Sequence, residues 1–134
     1  MRRLAIVLAG LALAGCAAPP PGCSDGVLTR LYLGRGSPQG EVPQAQWEAF
    51  VADTVTAHFP AGFTVLDARG QWRGENGGIG REATQVVEIV HDDGAAARAD
   101  IAAVAEAYRR RFEQEAVLVA DSAVRRCWVR APAR

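Results

Sequence analysis

The sequence predicts an α+β domain in which an antiparallel four-stranded sheet carries two helices on one face, in the order β-α-β-β-α-β. Two stretches place apolar residues at the helical i, i+3, i+4 spacing. Four runs rich in β-branched or alternating apolar residues read as strands. Glycine, proline and acidic clusters separate these six segments.

The first strand spans residues 27 to 34, where Leu31, Tyr32 and Leu33 suit a pleated surface, and the turn-rich stretch from Gly34 to Gly40 ends it. The first helix starts at Pro43, a residue favoured in the first turn, and runs to His58. Its apolar face combines Trp47, Phe50, Val51, Thr54, Val55 and His58, and Pro60 with Gly62 stops it. Residues 63 to 91 form a hairpin: a strand from Phe63 to Trp72, the glycine-rich stretch Gly74 to Gly80, and a strand from Glu82 to His91. Asp92 or Asp93 caps the second helix, which continues to Gln114 with Ile101, Val104, Ala105, Tyr108 and Phe112 on one face. Arg109, Arg110 and Arg111 fall in its last turns, where cations suit the negative end of the dipole. Residues 117 to 129 supply the last strand, with a break at Asp121-Ser122. This order is that of the ferredoxin-like sandwich, whose first and last strands are antiparallel neighbours.

The N-terminus carries an address. Arg2 and Arg3 precede an apolar run from Leu4 to Ala14, and Leu13-Ala14-Gly15-Cys16 follows the pattern of a bacterial lipoprotein signal. Residues 1 to 15 are expected to be removed as a signal peptide and the Cys16 thiol to be acylated. Residues 16 to 26 then form a lipid-anchored, proline-rich tether, and residues 27 to 130 a single domain. Ala17, rather than an aspartate, follows the cysteine, so the expected placement in a two-membraned host is the outer membrane, facing the periplasm.

Charge excludes some partners. The chain has 15 basic residues, all arginine, and 15 acidic ones, and loss of Arg2 and Arg3 leaves 13 against 15. A near-neutral domain argues against a nucleic-acid partner and against attachment through a basic patch. An apolar share of 49% fits an ordinary globular core.

Three cysteines sort into two roles. Lipidation takes Cys16, and an oxidising compartment favours pairing of Cys23 with Cys127. The predicted topology points the same way, since Cys23 precedes the first strand and Cys127 lies near the end of its neighbour.

Candidate binding residues concentrate in the hairpin. Trp72, Arg73, Arg81 and Glu82, with Tyr32 from the first strand, offer aromatic faces, two guanidinium groups and a carboxylate. The same residues fit a structural β-turn in which Trp72 covers the sheet and Arg73 or Arg81 pairs with Glu82. The glycines lack the Gly-Lys-Ser/Thr end of a phosphate loop. His58 and His91 read as isolated, partly buried histidines, and Glu113 and Glu115 as solvated. Tyr108 and Phe112 belong to the core. No serine lies in a nucleophile elbow, and no metal, cofactor or catalytic set stands out.

The run Leu31-Tyr32-Leu33-Gly34, then Trp47 with Phe50, Thr64-Val65-Leu66-Asp67, Gly70-Gln71-Trp72-Arg73, Arg81-Glu82, and Tyr108 to Phe112-Gln114-Glu115 resembles the bacterial domain of unknown function 3574, a family of lipoproteins. The resemblance covers residues 27 to 128 and implies one domain and a lipid anchor, with no assigned activity or site. Gly74 to Gly80 replaces a shorter turn. The expected function is therefore a non-catalytic binding or interaction module of the cell envelope, with the open sheet face as contact surface and face-to-face homodimerisation as one outcome. The alternative is a dimeric small-molecule enzyme with a pocket between the sheet faces, lined by Tyr32, Trp72 or His91. A purely structural envelope protein would have neither pocket nor ligand.

Overall fold

Strand β1 (Cys23–Gly34) lies inside the sheet, hydrogen-bonded to an antiparallel neighbour on each side. In the computed structural model, which describes residues 18–131, the strand order is β4-β5-β1-β6. Here β4 is Thr64–Arg73, β5 is Ile79–His91 and β6 is Leu118–Cys127. All three pairings are antiparallel, and helices α1 (Gln44–Phe50), α2 (Thr56–His58) and α3 (Ala95–Arg111) complete the ferredoxin-like sandwich. The expected signal segment, Cys16 and Ala17 lie outside the described residues.

Several boundaries differ from expectation. β1 begins at Cys23 rather than Val27, because Cys23 to Gly26 pair with Cys127 to Val124. The first four residues of the domain's sheet thus come from the expected tether. The turn-rich stretch after β1 holds a small hairpin, β2 (Gly36–Ser37) and β3 (Gly40–Glu41). β5 starts three residues earlier than expected, and β6 runs unbroken through Asp121 and Ser122, both paired with β1. Neither Asp92 nor Asp93 caps α3. Gly94 is the N-cap with no side-chain bond, while Asp93 pairs with Arg98 and Asp92 with Arg126.

The first helical region is not one regular helix. A π-helical turn at Val51–Val55 separates α1 from α2. The wider turn advances the inward position by five residues, so Phe50 and Val55 both reach the core, and Phe59 follows. Val51, Thr54 and His58 are only half-buried. His58 is not isolated: its Nδ1 lies 2.8 Å from an Asp100 carboxylate oxygen on α3.

Strand alternation divides the sheet into two faces. Leu31, Leu33, Val87 and Ile89 face the helices and meet Trp47, Phe50, Val55, Ile101, Val104, Tyr108 and Phe112. Each such side chain contributes about 1.5–3 kcal/mol on burial. Aromatic edges lock the helices together: the Phe50 and Tyr108 ring centroids lie 5.1 Å apart at 73°. In the last turn of α3, Arg111 sits over Phe50 and Phe112 and pairs with Asp53 at 2.9 Å. Cys23 and Cys127, register partners at the edge of this layer, are joined in a disulfide.

Candidate functional site

The sheet face away from the helices carries the site, and register places its side chains. Leu66 pairs with Val86, Val86 with Tyr32, and Tyr32 with Leu118. These four form an apolar row across all four strands on the open face. Leu66 is 44% and Leu118 63% exposed, whereas Val86, flanked on both sides, is buried. The next row toward the chain start is Thr64, Glu88, Arg30 and Ala120, in which Arg30 donates to Glu88 at 2.6 Å. Val90 and Leu28 lie one row further on. A half-exposed ion pair thus sits between apolar rows, satisfied within the face itself.

At the other end of the same face, Trp72 and Glu82 frame a cavity of about 300 Å³ with Gly36, Pro38, Arg81 and Glu115. Trp72 pairs with Gly80, and its indole fills the space that a Cβ at Gly80 would need. Glu82 lies over Gly34 and Gly36 in the same manner. The Gly36 N–H donates to a Glu82 carboxylate oxygen at 2.5 Å. Partial burial raises the Glu82 carboxyl above its ordinary range, and that N–H opposes the shift.

The floor of the cavity is held from behind. Gln114 is buried and donates to the carbonyls of Gly36, at 2.5 Å, and Phe112, at 3.0 Å. Arg35, also buried, donates twice to the Val42 carbonyl and stacks over Trp47. The Arg35 N–H donates to Ala83 at 2.8 Å, extending the β1–β5 ladder past Gly34. Residues 34 to 36 are therefore fixed on both faces.

The five predicted binding residues separate. Tyr32, Trp72 and Glu82 share the open face, but Tyr32 stands in the apolar row while Trp72 and Glu82 belong to the cavity. Arg81 lines the cavity, although alternation assigns it to the helix side of the sheet. Arg73 turns away and donates to the Gly77 carbonyl at 3.1 Å. Among the described residues, neither arginine pairs with Glu82, because the backbone of Gly36 reaches it first. Sequence reasoning missed Gly36 and Gln114. The short Gly34-Arg35-Gly36 spacing is the one signal that marks a backbone approached closely by another side chain.

A hydroxyl, an imidazole and a carboxylate do meet elsewhere. Thr29 Oγ1 donates to Asp121 at 2.5 Å and lies 2.8 Å from His91 Nε2. Thr29 is 0% exposed beneath the helices, so no substrate reaches the hydroxyl and the trio ties β1, β5 and β6 together. Among the described residues there is no cluster suited to a metal ion.

A family model described as a protein of unknown function, DUF3574, matches residues 28–128. The chain belongs to that family. No curated relative matches the sequence. Among solved structures, the chain is similar to a phage SAM lyase in complex with S-methyl-5'-thioadenosine, with a TM-score of 0.59 and 17% identity over 86% of this chain and 97% of that one. A phage SAM lyase in the apo state gives a TM-score of 0.57 and 17% identity over 87% and 100%. At such identities the likeness establishes the fold alone.

Proposed function

We propose that the chain is an exported, lipid-anchored envelope protein whose domain acts as a non-catalytic interaction module, pairing its open sheet face with a second copy. The row Leu66–Val86–Tyr32–Leu118, exposed at its outer members Leu66 and Leu118, carries this reading, because large apolar side chains left open on one sheet face mark a contact surface. Charge supports an identical partner: Arg30 and Glu88 neutralise each other within the face, so a facing copy meets no unmatched charge there. Area supports it as well. Four strands about 4.8 Å apart, paired over about ten residues at about 3.3 Å each, present about 600 Å² per copy. Two copies bury about 1,200 Å², the lower end of specific interfaces.

Light scattering on the size-exclusion peak tests the pairing. A dimer that becomes monomeric in Leu66→Asp and in Leu118→Asp supports it, and a wild-type monomer at every concentration overturns it. The anchor is tested separately by fatty-acid labelling, which Cys16→Ser should abolish. Equal membrane partition of wild type and Cys16→Ser would refute it.

The cavity at Glu82 favours a second reading, a small-molecule site. It combines an indole wall, a guanidinium and a partly buried carboxylate within one opening. Ligand co-purified from the native membrane fraction and lost in Trp72→Ala distinguishes this reading from a pure protein–protein module.

A further inference from the structure

Trp128 and Val129 follow the last strand and are 71% and 98% exposed, the largest uncovered apolar side chains at that end of the domain. The Trp128 N–H donates to the Gly22 carbonyl at 3.0 Å, and the Cys23–Cys127 disulfide stands directly beside this bond. The two chain segments therefore leave the domain together. Trp128 also borders an open-face groove with Phe63, Val90 and Arg126.

We infer that Trp128 and Val129, with Arg130, form a bilayer contact that seats the tether end of the domain in the lipid interface. The inference rests on the acylated Cys16 proposed above. From Cys16 to Gly22 the chain is six residues long, and even fully extended it reaches only about 20 Å. Whatever surface surrounds Gly22 is consequently held close to the lipid headgroups. The residues found there have the chemistry of an interfacial anchor. An indole has an apolar body and one N–H, which suits the boundary between acyl chains and headgroups. Val129 adds apolar area, and the Arg130 guanidinium matches a lipid phosphate. The cavity at Glu82 lies at the opposite end of strands 10 to 13 residues long, about 35 Å away. Seating Trp128 in the interface thus turns that cavity away from the membrane.

Tryptophan fluorescence in vesicles tests the contact, because the three indoles report different places. Trp47 is buried, Trp72 lies beside the distal cavity and Trp128 stands at the tether end. The full acylated chain is reconstituted into phosphatidylethanolamine–phosphatidylglycerol vesicles whose acyl chains carry bromine. Flotation and emission are then measured for wild type, Trp72→Phe, Trp128→Phe and Cys16→Ser. The expected result is bromine quenching in wild type and Trp72→Phe that is lost in Trp128→Phe, with all three floating equally. Flotation without quenching, or equal quenching in Trp128→Phe, overturns the bilayer contact and leaves the anchor standing. Wild-type protein that fails to float, or Cys16→Ser that floats as well, overturns the anchor and the contact with it.

Discussion

The phenol of Tyr108 donates a 2.7 Å hydrogen bond to the backbone carbonyl of Gly34, joining the C-terminal part of α3 to the end of β1. Both ends of the bond are shielded from water, and burial raises the phenol well above its ordinary range. Tyr108→Phe keeps the ring packing and removes one buried bond, so it should cost about 1–2 kcal/mol in urea unfolding. The sign of the pH effect is fixed by the raised phenol: ionisation is penalised in the folded chain, and stability should fall as pH rises above 10.0. That fall should be absent in Tyr108→Phe.

Glu82 makes the complementary case. Its carboxyl is raised in the folded chain, so the ionised form carries a penalty that is absent below 4.5 and complete once pH passes the folded value. Glu82→Gln keeps an oxygen for the Gly36 N–H and removes the charge. Because the carboxylate is only partly buried and still meets solvent, the gain at neutral pH should be small, a few tenths of a kcal/mol. Thermal unfolding at pH 4 and pH 7 checks it: the difference between variant and wild type should be larger at pH 7.

Gly34 and Glu82 should be energetically coupled. A Cβ at Gly34 occupies the place of the Glu82 carboxylate. Gly34→Ala alone should destabilise the domain by about 1 kcal/mol, and by clearly less in a Glu82→Ala background. Additive costs in the double-mutant cycle would contradict this packing.

The Cys23–Cys127 disulfide closes a loop with a sequence separation of 104. In the chain-entropy account such a loop stabilises a fold by about 4–5 kcal/mol, and removal from small exported domains costs about 2–5 kcal/mol. The urea midpoint should therefore drop markedly on reduction, and Cys23→Ala should remove the difference between reducing and oxidising conditions.

Local pattern determined much of this molecule. The order of elements, the Cys23–Cys127 pairing, the core roles of Tyr108 and Phe112, and the arginines at the end of α3 all follow from periodicity and spacing. Strand and helix periods are properties of consecutive residues, and adjacency of the first and last strands follows from the element order. Contacts across the sequence were decided only in three dimensions. The π-helical turn at Val51–Val55 exists because Phe50, Val55 and Phe59 must all reach one core. Glu82 bonds to the Gly36 backbone rather than to Arg73 or Arg81, since the crossing of residues 34 to 36 brings an N–H to the carboxylate first. The split of Tyr32 from Trp72 and Glu82, and the row Leu66–Val86–Tyr32–Leu118, depend on register between four strands. Register is set by the whole sheet and the helices packed on it. The sequence by itself determined the order and type of the main strands and helices, because those periods belong to consecutive residues. Tertiary structure decided which side chains share a surface, because that requires residues far apart in the chain to be placed to within a few ångströms.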